Sequence, residues 1–266
     1  MDRKVTALIL AAGSGSRMGE GVKKQYRLIR GEPLLVHTLR AFMRMPCVTD
    51  ILITAPKGEE DECLELAAQA AKGIKEAGIW AGPGRPVHVA AGGRRRCDSV
   101  LNGLKVISEN TEGQAKDHIV MIHDGARPFA DAAMADRLTA DVEKYGSAIA
   151  AVPVKDTIRI ADDDGFGIAT PDRQTLWSMQ TPQVFMLDTI LEAYSAVIPE
   201  ADANGRYTDR EGNTVTVTDD AFVYMTHTGK PVKLTEGSYE NIKITTPEDM
   251  LLAEQILKER EGSGES

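Results

Sequence analysis

Aromatic residues are scarce. Phe, Trp and Tyr make up 5% of the 266 residues, too few to build stacking platforms for single-stranded nucleic acid. Positive charge is in deficit as well. The chain has 31 Lys and Arg against 40 Asp and Glu, a net charge of −9, so neither a nucleic acid nor an anionic membrane would attract it as a whole. The three cysteines, Cys47, Cys63 and Cys97, have the spacing of neither a metal site nor a disulfide framework, which points to a reducing compartment. Long apolar runs are also missing. The stretch near the start passes straight into glycines, too short for a membrane span or for the apolar region of an export signal. The expectation is a cytoplasmic protein without a membrane partner.

What is present is ordinary globular material, 42% hydrophobic and 27% charged, in a length that suits one large α/β domain. Apolar, β-branched runs at 5–10, 50–54, 87–90, 118–123 and 148–154 read as buried strands. Helical periodicity over 34–43, within 59–75, from near Asp98, and within 131–145 separates them. Strands alternating with helices imply crossover connections and a mostly parallel sheet covered by helices, with ligands bound beyond the carboxyl ends of the strands. The alternation breaks at residues 157–170. There, short apolar flanks around an Asp- and Gly-rich turn predict a hairpin too small to bury its own surface, hence a projecting β-arm. Helix returns at 186–197, and residues 199–216 read as a polar insertion. Strand is expected at 232–234 and a final helix at 247–259, capped by Thr246 with Pro247 in its first turn. The domain is expected to span residues 1–260, with 261–266 a disordered tail.

The first strand delivers Ala11-Ala12-Gly13-Ser14-Gly15-Ser16-Arg17-Met18-Gly19, followed by Lys23 and Lys24. Glycines let the backbone approach an anion, and successive amides can cradle phosphate oxygens. Arg17 adds a planar fork of donors and Lys24 a compact charge. The dinucleotide fingerprint needs glycine where Met18 stands, and a P-loop needs Gly-Lys followed by Ser or Thr; neither is present. The bland alternative is a tight strand–helix connection with surface basic residues.

Further polar clusters follow in order: KKQY at 23–26, GGRRRCDSV at 92–100, HDGARPF at 123–129, VPVKDTI at 152–158, TPQVF at 181–185, TDDA at 218–221 and NIKITTPED at 241–249. Taken with AAGSGSRMG, their succession from about residue 4 to 258 resembles the 2-C-methyl-D-erythritol 4-phosphate cytidylyltransferase family. The resemblance implies a Rossmann-like nucleotidyltransferase fold, a mixed but mostly parallel sheet flanked by helices, and a homodimer formed through the β-arm. It implies CTP and a polyol phosphate as substrates, and Mg²⁺ or another divalent cation as cofactor. The products would be a cytidine diphosphate sugar alcohol and pyrophosphate.

By the same resemblance, Ala11, Ala12, Gly13, Ser14, Gly15, Gly93, Arg96 and Ser99 would hold the nucleotide, and Arg17 and Lys24 would be catalytic. Arg173, Lys243, Thr218, Asp124 and Arg127 would position the acceptor. No direct metal ligand can be assigned. Individually these residues also admit plainer roles: a surface charge run at 94–96, an Asp-stabilised turn at Asp124, solvated charges at Arg173 and Lys243. His123 need not act as a base, because a phosphate monoester, with a second pKa of about 6, is already anionic near neutrality. The Asp219-Asp220 pair is expected to hold polyol hydroxyls, although Asp220 stands where the family more often carries Glu. Two other readings stay open. One is a ribitol 5-phosphate cytidylyltransferase, although Ala126 before the arginine resembles the methylerythritol phosphate enzymes more closely. The other is a regulatory nucleotide-binding protein without catalysis.

Overall fold

The computed structural model describes residues 3–13, 23–76, 85–111, 115–208 and 212–263. Its framework is a seven-stranded sheet. In chain order the strands are β1 (Lys4–Leu10), β2 (Leu28–Ile29), β3 (Glu32–Pro33), β4 (Asp50–Ala55), β5 (Val87–Ala91), β6 (His118–Asp124), β7 (Ser147–Pro153), β8 (Ile160–Ala161), β9 (Gly167–Ala169), β10 (Trp177–Met186), β11 (Arg206–Thr208), β12 (Thr214–Thr216) and β13 (Lys233–Glu236). The helices are α1 (Leu34–Arg44), α2 (Glu60–Glu76), α3 (Arg96–Glu109), α4 (Ala132–Tyr145), α5 (Leu187–Val197), α6 (Asp220–Thr228) and α7 (Pro247–Ser263). The sheet order is β13-β7-β10-β6-β1-β4-β5. Within it β10 runs antiparallel to both β6 and β7, and the remaining pairings are parallel.

Alternation along each strand feeds two cores. From β1, Val5, Ala7 and Ile9 join Ile51, Ile53, Ile119 and Met121 under α1, α2 and α4. Leu8, Leu52, Val120 and Ile122 face the other way, against α3, α5 and α6. The long apolar runs of β4 and β6 follow from this burial on both faces. A third cluster lodges α7 through Ala253 and Ile256 against Phe129, Leu34 and Ile244.

Several elements depart from the sequence expectation. The helix expected to begin near Asp98 begins at Arg96 and runs fourteen residues. Asp98 sits inside its first turn, where its carboxylate accepts from the Arg95 amide at 2.9 Å. Two elements were not foreseen: β10, which runs through TPQVF, and α6, which begins inside TDDA at Asp220. The arm's first strand starts at Ile160 rather than residue 157. The polar insertion carries a small ribbon, β11 paired with β12. α7 continues through Ser263, past the residue-260 boundary, with Arg260 held by Glu240 at 2.8 Å; residues 264–266 lie outside the described residues.

Candidate active site

The carboxyl ends of β1, β5 and β6 open onto a cleft of about 350 Å³ lined by Ala12, Gly13, Gly93, Arg94, Arg95, Arg96, Ser99, Asp124, Ala126 and Lys243, among others. Such a volume suits a small-molecule site. Two loops approach closely here. A Cβ on Gly92 would lie 2.4 Å from that of Ala12, and one on Gly93 would lie 2.3 Å from that of Asp98, so only glycine admits this packing. The Gly92 amide donates to Ala55 O at 2.7 Å, and that of Gly93 to Ser99 Oγ at 2.9 Å.

Asp124 ends β6 at the centre of a charge cluster. Lys243 Nζ lies 2.7 Å from Oδ2, Arg96 Nε donates to Oδ1 at 3.2 Å, and Arg127 Nε stands 3.9 Å from Oδ2. Burial alone would push the Asp124 carboxyl up, but the charges of Arg96, Lys243 and Arg127 and the Lys243 hydrogen bond hold it well below the usual carboxylate range. It is therefore a permanent anion that fixes three cations. Arg96 reaches onward with both terminal nitrogens to Asp220, each at 2.8 Å. Asp220 is also bound by the Tyr194 hydroxyl. Desolvation followed by the Asp220 charge drives that hydroxyl's pKa well upward, keeping it protonated.

The loop after β6 is braced from below. Arg127 donates to Asn241 O at 2.7 Å, and Ile244 N to Ala126 O at 2.9 Å. Asn241 is fully buried and donates to Thr181 O at 2.8 Å. The Thr181 hydroxyl receives the Asp124 amide at 3.1 Å and lies 3.1 Å from His123 Nδ1. His123 Nε2 lies 2.9 Å from Arg127 O, and desolvation lowers the ring's pKa to about 4. A buried, neutral imidazole engaged at both nitrogens is a brace for the loop, not a base.

The expected residues divide into groups. Ala12, Gly13, Gly93, Arg96, Ser99, Asp124 and Lys243 come together around the cleft. Ala11 is buried and its amide donates to Thr54 O, so it serves the sheet. Arg127 supports from beneath. Arg173 and Thr218 do not line the cleft of the chain: Arg173 is exposed at the base of the arm and donates to Lys155 O at 3.0 Å, and Thr218 is exposed before α6. Ser14, Gly15, Arg17 and the Lys24 side chain lie outside the described residues. The expectation that Asp219 and Asp220 hold polyol hydroxyls is corrected. Asp220 is fully buried against Arg96 and Tyr194, whereas Asp219 caps α6, accepting from Phe222 N and Gln183 Nε2 at 2.9 Å each. Sequence reasoning missed Asn241, Thr181 and Tyr194. The first two stand inside motifs it singled out, NIKITTPED and TPQVF, while Tyr194 carries no local signal.

Among the described residues, no group of three or more His, Cys, Asp or Glu could hold a metal ion. Mg²⁺ is ordinarily bound by one or two carboxylates together with substrate phosphates and water. Asp124, the carboxylate among the residues that line the cleft, has both oxygens engaged by Lys243 and Arg96, so it suits that mode through water and not as a direct ligand. No described helix is long and apolar enough to cross a membrane.

Comparison with known proteins gives this arrangement its context. The family model described as IspD, 2-C-methyl-D-erythritol 4-phosphate cytidylyltransferase, matches residues 5–259. The enzyme of that name from Desulforamulus reducens is 42% identical over 96% of the chain and 97% of its own length. Its namesake from Alkaliphilus oremlandii is 40% identical over 97% of the chain and 96% of its own. Among solved structures, the 4-diphosphocytidyl-2C-methyl-D-erythritol synthase of Anaerococcus prevotii aligns with a TM-score of 0.73 at 28% identity, covering 97% of each chain. With a family model spanning the sheet, relatives matched nearly end to end and a shared fold, the chain belongs to the 2-C-methyl-D-erythritol 4-phosphate cytidylyltransferase family and is an enzyme that transfers CMP from CTP.

Proposed function

We propose that this enzyme carries out its reaction, CTP and 2-C-methyl-D-erythritol 4-phosphate giving 4-diphosphocytidyl-2-C-methyl-D-erythritol and pyrophosphate, in the cleft around Asp124. The observation that carries the reading is the fixed trio of cations on one permanent anion at the carboxyl end of β6. An acceptor phosphate oxygen attacks the α-phosphorus of CTP in line; that P–O bond forms as the α–β bridging bond breaks and pyrophosphate departs. No proton must be removed from the nucleophile, so the protein's task is to bring two anions together and stabilise the equatorial charge.

Gly93, in the loop before α3, and Ser99, in its first turn, take the cytidine side, with Arg96 beside Asp124. Ala12 through Gly15 receive the triphosphate, and Arg17 and Lys24 stabilise the transition state. Lys243, oriented by Asp124, meets the acceptor phosphate. A Mg²⁺ ion on the triphosphate, its water shell reached by Asp124, would screen the negative charge. Arg173 and Thr218 complete the acceptor site. Arg173 does so across a two-fold dimer, because it stands at the root of an arm whose Ile160, Phe166 and Ile168 are exposed. Three free thiols support a reducing cytoplasm.

Pyrophosphate release from CTP, followed with methylerythritol phosphate and ribitol 5-phosphate in parallel, tests the reading. A clear preference in kcat/KM for ribitol phosphate would move the acceptor assignment, and no release with either would remove the catalytic one.

A further inference from the structure

The later residues of the HDGARPF loop, Pro128 and Phe129, line a second cleft, of about 430 Å³, which shares no lining residue with the first. Its walls are α1, α4, α7 and the stretch Pro128–Ala130. Four arginines, Arg30, Arg40, Arg44 and Arg260, line it against two carboxylates, Glu32 and Asp131. Both carboxylates are engaged: Glu32 takes a two-pronged pair from Arg40 at 2.6 and 2.7 Å, and Asp131 caps α4 by accepting from Met134 N at 2.7 Å.

Arg44 is the anomaly. Its Nε is buried without a hydrogen-bond partner, and among the described residues it has no ion pair. Desolvation and the neighbouring Arg40 charge lower its pKa. A chain of net charge −9 thus places one guanidinium that has no counter-ion among the described residues beside three others. A planar fork of donors matches the oxygens of a phosphate.

We propose that this cleft is a second anion site, taking the phosphate group of inorganic phosphate or of a small phosphate monoester. Bound there, the ligand neutralises Arg44 and draws on Arg260. Arg260 donates to Phe129 O at 3.3 Å and pairs with Glu240 at 2.8 Å. Phe129 lies two residues from Arg127, and Glu240 lies three from Lys243. The ligand therefore grips both strands of chain that carry the Asp124 cluster, and occupancy shifts the acceptor KM more than the CTP KM.

The test uses the full chain as wild type, Arg44→Met and Arg30→Gln, titrated calorimetrically with inorganic phosphate and with glycerol 3-phosphate, with thermal melts in parallel. Arg44→Met should melt higher than wild type without ligand, because a partly buried charge with no counter-ion is gone. It should also lose the rise in melting temperature that phosphate gives wild type. Affinity should fall about tenfold or more in Arg44→Met, the scale of a lost charge-assisted hydrogen bond, and by less in Arg30→Gln at the rim. Tighter binding of the ester identifies an organic ligand, and equal binding identifies free phosphate. Affinities within twofold of wild type in both variants, or an unchanged phosphate-induced rise in Arg44→Met, overturn the proposal. Repeating the titrations on Lys243→Ala chains, in which the acceptor phosphate site is weakened, keeps the readings of the two clefts apart.

Discussion

Arg96 grips Asp220 with both terminal nitrogens at 2.8 Å, and Asp220 has no exposure to solvent. Removing Arg96 leaves Asp220 buried without its counter-ion, and removing Asp220 leaves Arg96 with Asp124 alone; breaking a buried pair costs about 3–5 kcal/mol. Asp220→Ala should destabilise the protein by this order in urea unfolding and also reduce kcat, because Arg96 no longer holds its place beside Asp124. The Arg96→Ala/Asp220→Ala double variant should be less destabilised than the sum of the single ones. Strict additivity would show that the two residues do not act together.

Lys243 is expected to link charge and geometry. Lys243→Ala should raise the acceptor KM and lower kcat, since a misaligned nucleophile forfeits proximity. CTP affinity measured calorimetrically should change much less. Normal acceptor kinetics with lost CTP binding would reverse the assignment.

Arg17 and Lys24 test the transition state. Loss of one preorganised donor typically reduces turnover on the order of 10²–10³. Single-turnover rates of Arg17→Ala and Lys24→Ala should fall on that scale while acceptor binding holds. Near-normal rates in both would remove these residues from the catalytic step.

Arg173 makes the proposed dimer measurable. Co-expressed Arg173→Ala and Lys243→Ala chains should regain activity on mixing if Arg173 serves the neighbouring site, because one site of the mixed dimer then holds both native residues. A site built within one chain regains nothing. Phe166→Asp in the arm should shift sedimentation toward monomer.

Acid sensitivity follows from His123, whose folded pKa of about 4 lies below the ordinary 6.5. The unfolded chain takes up this proton first. Stability from the neutral ring is therefore complete above about pH 6.5 and is lost as pH falls from there toward 4, by about 3 kcal/mol in order of magnitude. Asp124, depressed rather than raised, adds a further loss only below about pH 4. NMR titration of the His123 ring with a midpoint near 6.5 would contradict this account.

Periodicity made most of the parallel framework legible. Residues 5–10, 50–54 and 118–123 are near-continuous apolar runs because both faces of those strands are buried. β10 escaped because Ser178, Gln180, Thr181, Pro182 and Gln183 interrupt its apolar pattern. Those residues serve the site instead: Gln180 donates to Ser238 O at 2.7 Å, and Gln183 binds Asp219. The register shift between Met179 and Gln183 accommodates them. The chemistry at Asp124 was readable as a motif, but its partners Arg96 and Lys243 lie on either side of it far along the chain, and Asp220 lies 124 residues from the Arg96 it holds; only the sheet order brings them together.

The insertion between α5 and α6 joins two helices that are already held together. The Tyr194 hydroxyl on α5 is bound to Asp220 at the start of α6, and the two helices share one apolar core. Their separation is thus set by the fold and not by the length of the segment joining them. Loop closure changes only slowly with added residues, so the segment between the two helices is a natural place for a splice. A reporter peptide inserted there should leave the charge cluster undisturbed, and the enzyme could carry a label close to Arg95, whose guanidinium binds Asp202 O of the insertion, without redesign of the sheet.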